Sequence, residues 1–287
     1  MSTDSPSPAP GIALVLGGGG ARGLAHLGVL EVLEREQIPV AALAGASMGG
    51  LIGTLWIAGV PLADVGEELR RLSEPLELLK LVDLVISRNG VSVRGVKIYD
   101  LLTEMLGGEL RFEDLPVPLA LTAADLASGR TMLLRHGPLA EAMRATVSLP
   151  GLFQPFEHDG LRLIDGGILD NLPVEAARAL SPRPVVAVDV LPRFRANAPG
   201  AEPVAPPLEP EHVPQFLQEL AHVAVMMVAE MTELRLAASP ADLVLRPEIP
   251  TDVSLLTSFH RVDDLLLAGA AAAEAALPRL KELAGSS

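Results

Sequence analysis

Gly45-Ala46-Ser47-Met48-Gly49 is the segment of this sequence best suited to covalent chemistry. It follows an apolar run and opens a helical pattern, which is the setting a nucleophile elbow needs. A turn that tight admits only small residues beside the serine, and it lifts the hydroxyl off the end of a sheet. The helix N-terminus behind it favours developing negative charge. The same residues satisfy a plainer reading, a glycine-rich strand-to-helix turn with a serine cap.

A second glycine-rich segment, Gly17-Gly18-Gly19-Gly20-Ala21-Arg22-Gly23, lies between the first expected strand and the first expected helix. Gly18, Gly20 and Gly23 have the spacing of a dinucleotide fingerprint. That fingerprint requires an acidic residue about 20 positions further on, and Gln37 to Met48 contains neither Asp nor Glu. Consecutive glycines also let backbone N–H groups converge on one point, the arrangement of an oxyanion hole. Four glycines in a row, with Gly23 after them, exceed what a tight turn needs.

A serine nucleophile needs a partner to take its proton. The histidines are His26, His136, His158, His212, His222 and His260. His26 falls on the first helix, and the others show no motif. His158, in a polar stretch beside Asp159, is the one worth testing. Asp165-Gly166-Gly167 is the better candidate, because it ends a short strand expected over Leu161 to Ile164. Its two glycines let the backbone approach the elbow and present the carboxylate. Asp125 and Asp189 also follow apolar runs and are rivals. For all three the plain alternative is a turn or sheet-end cap.

Taken in order, these segments resemble the patatin-like phospholipase family, whose pattern is G-G-G-x-R-G, then G-x-S-x-G, then D-G-G. Here they are Gly18 to Gly23, Gly45 to Gly49 and Asp165 to Gly167. Neighbouring segments are similar too: A-T-V-S-L-P-G-L-F-Q-P over Ala145 to Pro155, and I-L-D-N-L-P running on through Pro173. The resemblance covers roughly Gly11 to Leu191, with a weaker extension to Leu245. It implies hydrolysis of acyl esters in lipids by a Ser–Asp dyad, with no histidine, metal or cofactor. Ser47 would then attack the ester carbonyl and Asp165 would accept its proton. The amides of Gly18, Gly19 and Gly20 would hold the oxyanion. Gly23, Gly45, Gly49, Gly166 and Gly167 would support the loop and elbow. Arg22 would fix the loop through a salt bridge, with contact to a phosphate head group as the rival role. A carboxylate acting as base must be poorly solvated, so Asp165 is expected to be buried. A non-catalytic lipid-binding or regulatory protein on the same fold is the alternative.

The surrounding pattern supplies elements to position these groups. Ile12 to Leu16, Pro39 to Ala44, Val117 to Thr122, Met132 to Arg135, Val185 to Val190 and, more weakly, Leu243 to Leu245 read as strands. Helical patterns lie between several of them, including Leu24 to Glu36 and Met48 to Ala58. Asp263 to Leu283 reads as a terminal helix kinked or broken at Pro278. Strands alternating with helices indicate an α/β fold: a three-layer α/β/α domain over residues 11–287 with a mainly parallel sheet. Met1 to Pro10, Ser/Pro-rich, is expected to be a disordered tail, and Gly200 to Pro214 an exposed loop.

Phe216 to Leu234 reads as a helix whose Met226, Met227 and Met231 fill the core, with an acyl-chain wall as the rival reading. Leu84 to Tyr99 carries Arg88, Arg94 and Lys97 and no acid. It reads as an ordered surface segment, with a mobile cap touching anionic lipid as the rival.

The chain has 287 residues, net charge −14 and no cysteine. Disulfides, thiolate catalysis and cysteine–metal sites are excluded, and so acidic a chain is not a general nucleic-acid binder. A cytoplasmic location is expected, with transient contact at a membrane surface. Gln37 to Ala63 carries no charged residue and is long enough to span a bilayer, but its glycines favour a buried strand followed by a buried helix.

Overall fold

The computed structural model describes residues 11–87, 90–194 and 214–285. The expected tail, Arg88 and all of the 200–214 loop except its last residue lie outside them. The strands are β1 (Ile12–Leu16), β2 (Val40–Gly45), β3 (Leu84–Ser87), β4 (Gly90–Val93), β5 (Leu119–Asp125), β6 (Arg130–Leu134), β7 (Phe156–His158), β8 (Leu161–Asp165), β9 (Val185–Val188) and β10 (Leu243–Leu245). The helices are α1 (Ala25–Arg35), α2 (Ser47–Ile57), α3 (Leu62–Ser73), α4 (Pro75–Leu81), α5 (Val96–Met105), α6 (Leu139–Thr146), α7 (Val174–Leu180), α8 (Gln215–Ala238), α9 (Val262–Ala275) and α10 (Leu277–Ala284).

The main sheet has the order β10-β9-β1-β2-β5-β8-β7, with β6 added on β5. It is parallel from β10 through β5, and β6 and β8 run antiparallel to β5. Strands covered on both faces read as unbroken apolar runs, and β1 shows why. Its Ile12, Leu14 and Leu16 join one core with α1, α2 and α9, while Ala13 and Val15 join a second core with α7 and Leu236 of α8. The result is the three-layer α/β/α architecture expected from the alternation of elements.

β5 explains how distant segments meet. Its residues Leu119 to Leu121 pair with β2, Leu121 to Asp125 with β6, and Ala123 to Asp125 with β8. A strand has two edges, and β6 occupies one of them along the whole of its pairing. β2 and β8 therefore share the other edge, end to end. β2 runs up that edge and stops with Gly45 opposite Leu121. β8 runs down it and stops with Asp165 opposite Ala123. Two residues of β5, about 7 Å of extended chain, separate the two partner positions.

Several boundaries differ from the sequence expectation. β5 begins after Pro118, which cannot donate to a ladder, and continues through Ala123-Ala124-Asp125 because β6 and β8 hold those residues. The uncharged stretch from 37 to 63 is β2, α2 and their turns, and no helix among the described residues is long and apolar enough to cross a membrane. The terminal helix breaks at Ala276, ahead of Pro278, into α9 and α10. Within Leu84 to Tyr99 the described residues form the antiparallel β3–β4 pair and the start of α5. α8 exposes Met226 and Met227 instead of burying them.

Candidate active site

Ser47 sits where β2 turns into α2, at φ +48°, a left-handed conformation that a non-glycine residue rarely adopts. Strain of this kind persists only where the surroundings over-determine it. Here the Ala46 amide donates to Leu16 O at 3.1 Å, and the Ser47 amide donates to Thr146 Oγ1 at 2.9 Å. Gly49 lies against the carbonyls of Leu16 and Gly17, where any Cβ would collide with backbone. Gly45 is pressed on the backbone of Gly50 in the same way.

Asp165, at the end of β8, accepts the Ser47 hydroxyl hydrogen on Oδ2 at 2.7 Å. Its Oδ1 accepts the Gly167 amide at 2.8 Å, and its own amide donates to Ser148 O at 2.9 Å. Gly166 packs on the backbone of Thr122 in β5. The carboxyl is buried, 5% exposed. Burial pushes its pKa up to about 6, opposed by the hydrogen bonds from Ser47 and the Gly167 amide. Near neutrality the group is thus a carboxylate with enhanced basicity.

The glycine loop lies against this pair. A Cβ on Gly18 would be 3.0 Å from Ser47 Cβ. The Gly18 amide is not free, because it donates to Asn171 O at 3.2 Å. The Ala21 amide is taken by Leu255 O at 2.7 Å. Between them, the amides of Gly19 and Gly20 find no acceptor among the described residues. Gly23 abuts the Met48 side chain, joining loop to elbow.

Arg22 departs from expectation. Its guanidinium is buried and makes no salt bridge among the described residues. Nε donates to Val190 O at 2.8 Å, and Nη1 reaches Val253 O and Pro250 O at 3.4 and 3.5 Å. Burial pulls its pKa down to about 10, opposed by Asp189. Its side chain thereby ties the glycine loop to the carbonyls of Val190, Val253 and Pro250.

The rival groups have other occupations. Asp125 caps a turn, accepting from the amides of Ser128 at 2.9 Å, Arg162 at 3.2 Å and Ala127 at 3.3 Å. Asp189 pairs with Arg246 at 3.2 Å. His158 faces Glu141 at 3.0 Å. His26 is fully buried and donates from Nε2 to Gly17 O at 2.7 Å. Among the described residues no cluster of His, Asp and Glu could hold a metal ion.

Sequence reasoning did not single out Thr146, Arg144 or Asn171. Two of the three lie inside the segments quoted for the resemblance, and Arg144 immediately precedes one of them. Arg144 is buried and grips three segments: Nε donates to Gly95 O at 3.1 Å, Nη1 to Ser148 Oγ at 2.5 Å, and Nη2 to Arg94 O and Gln154 O at 2.8 and 3.3 Å. Its guanidinium carbon also stands 4.9 Å from the centroid of the Phe153 ring.

The fold is a three-layer α/β/α domain with a strained serine and a buried aspartate meeting beside its central sheet. Comparison places the chain more closely. The family description "Patatin-like phospholipase" matches residues 14–178, so the chain belongs to the patatin-like phospholipase family. An NTE family protein of Mycobacterium tuberculosis is 36% identical over 197 residues, covering 69% of this chain and 54% of that one. The neuropathy target esterase sws of Drosophila melanogaster is 32% identical over 183 residues, covering 62% of this chain and 13% of that one. The crystal structure of VipD from Legionella pneumophila aligns with 92% of this chain and 68% of its own at a TM-score of 0.43 and 15% identity. The chain spans about half the length of the mycobacterial relative it matches.

Proposed function

We propose that this chain is a serine acyl-ester hydrolase acting on lipids, with Ser47 as nucleophile and Asp165 as base. The observation that carries the reading is the 2.7 Å hydrogen bond from Ser47 Oγ to a buried carboxylate, with the glycine loop packed against the same serine. The family description and the esterase named among the relatives support it.

In this mechanism Ser47 Oγ attacks the ester carbonyl carbon as its proton passes to Asp165 Oδ2. The carbonyl oxygen becomes an oxyanion, which the amides of Gly19 and Gly20 stabilise. Gly18, whose amide is engaged by Asn171, instead forms the wall beside the serine. Collapse of the intermediate expels the alcohol, which takes the proton from Asp165. The acyl group stays on Ser47. Water then attacks the acyl-enzyme, giving its proton to Asp165, and the acid leaves as Ser47 recovers its hydrogen. Neither a metal nor a histidine enters any step.

The test is active-site labelling with a fluorophosphonate beside hydrolysis of p-nitrophenyl esters and phospholipids. Wild type is expected to label on Ser47, and Ser47→Ala to lose both label and turnover by at least about a thousandfold. Equal labelling of the two proteins would defeat the assignment.

A further inference from the structure

Consecutive glycines leave peptide planes free to turn, whereas an oxyanion hole works only if its donors are aimed before the substrate arrives. In a trans peptide the C=O and N–H point in opposite directions. Anchoring one carbonyl therefore aims the amide of the next residue. Every carbonyl from Gly17 to Gly19 is anchored. Gly17 O accepts from His26 Nε2 at 2.7 Å. Gly18 O accepts from Asn171 Nδ2 at 3.0 Å. Gly19 O accepts from the Arg22 amide at 3.1 Å.

Asn171 does more than the other two. It holds Gly18 from both sides, by its carboxamide and by its own main-chain carbonyl. Its Oδ1 also stands where a Cβ on Gly18 or on Gly167 would fall, 2.6 and 2.7 Å from those positions. One buried carboxamide is thus wedged between the loop before the first helix and the turn that carries Asp165.

We propose that Asn171 is a positioning residue whose carboxamide aims the Gly19 amide as an oxyanion donor and fixes that loop to the Asp165 turn. His26 completes the frame one peptide earlier. A carbonyl can only accept, so the His26 ring carries its proton on Nε2, and Nδ1 is buried without a partner among the described residues. Burial also drives the ring's pKa down to about 4, so the donor stays neutral at working pH. The proposal rests on Ser47 being the nucleophile.

Asn171→Ala and the isosteric Asn171→Asp separate positioning from simple support. In the full chain, kcat on a p-nitrophenyl ester is expected to fall about 100-fold, with KM changed less than about threefold. Affinity for a trifluoromethyl ketone, which forms a hemiketal oxyanion on serine, falls in parallel with kcat. The acidic limb of the pH profile stays in place in Asn171→Ala and moves to higher pH in Asn171→Asp, whose added carboxylate lies beside the Asp165 turn. Should one Asn171 variant fail to fold, the other carries the test. Unchanged kcat in a folded Asn171 variant overturns the proposal. So does loss of kcat with full ketone affinity. Absence of fluorophosphonate labelling in wild type would instead overturn the parent assignment.

Discussion

Asp165 combines two properties that oppose each other. Its burial raises basicity and also penalises the charged form in the folded state. In the unfolded chain an aspartate titrates near 3.9, and here it titrates at about 6. Between those values the unfolded state releases its proton first, so stability is lost as pH rises through the window and stays lost above it. Asp165→Asn removes that penalty. Thermal melts are expected to show the variant more stable than wild type at pH 8, by a few degrees, with the gap closing toward pH 4. Its hydrolysis should nonetheless be lost. In wild type kcat/KM should rise with pH through about 6 and then level off, because the base must be ionised; a profile flat from pH 5 to 8 would contradict the assignment.

At the level of elements, the site depends on strands ending where they should. Gly49→Ala introduces a methyl group against the carbonyls of Leu16 and Gly17. Overpacking of this kind costs about 1–3 kcal/mol, visible as a melting temperature several degrees lower and a disturbed elbow. Arg144 ties the end of the β3–β4 pair to the loop that supports Asp165. Arg144→Met strands buried acceptors at about 1–3 kcal/mol each. It should lower the melting temperature markedly and speed tryptic cleavage at Arg94 and Lys97.

The central strands were legible in the sequence because β1, β2 and β9 are apolar runs ended by glycine or a polar residue. Ser47 and Asp165 were legible because glycines flank them in patterns tied to tight turns. Asn171, Thr146 and Arg144 were not. Most of their partners lie far along the chain, and no spacing encodes that Gly18 O will face a residue 153 positions away. The same limit applies to the loop amides. Sequence offers three equivalent glycines, and only the packing decides that one donates to Asn171.

The whole molecule carries a net charge of −14, which repels anionic surfaces over about a Debye length. Hydrolysis on phosphatidylcholine vesicles is expected to exceed that on vesicles rich in phosphatidylglycerol at low salt, and the two rates should converge as salt is raised. EDTA should leave turnover unchanged. α8 adds an apolar exterior, with Leu220 64% and Met227 62% exposed, so the molecule pairs an acidic body with a greasy rib.

The tip-to-tip meeting of β2 and β8 along β5 has one more effect. Ser47, directly after β2, and Asp165, at the end of β8, lie 118 positions apart, and both strands pair with β5. A slip of β8 by one position would turn the carboxylate to the opposite side of the sheet. Under the proposed mechanism misassembled copies are inert, not merely sluggish, and turnover per milligram scales with the fraction of correctly registered molecules.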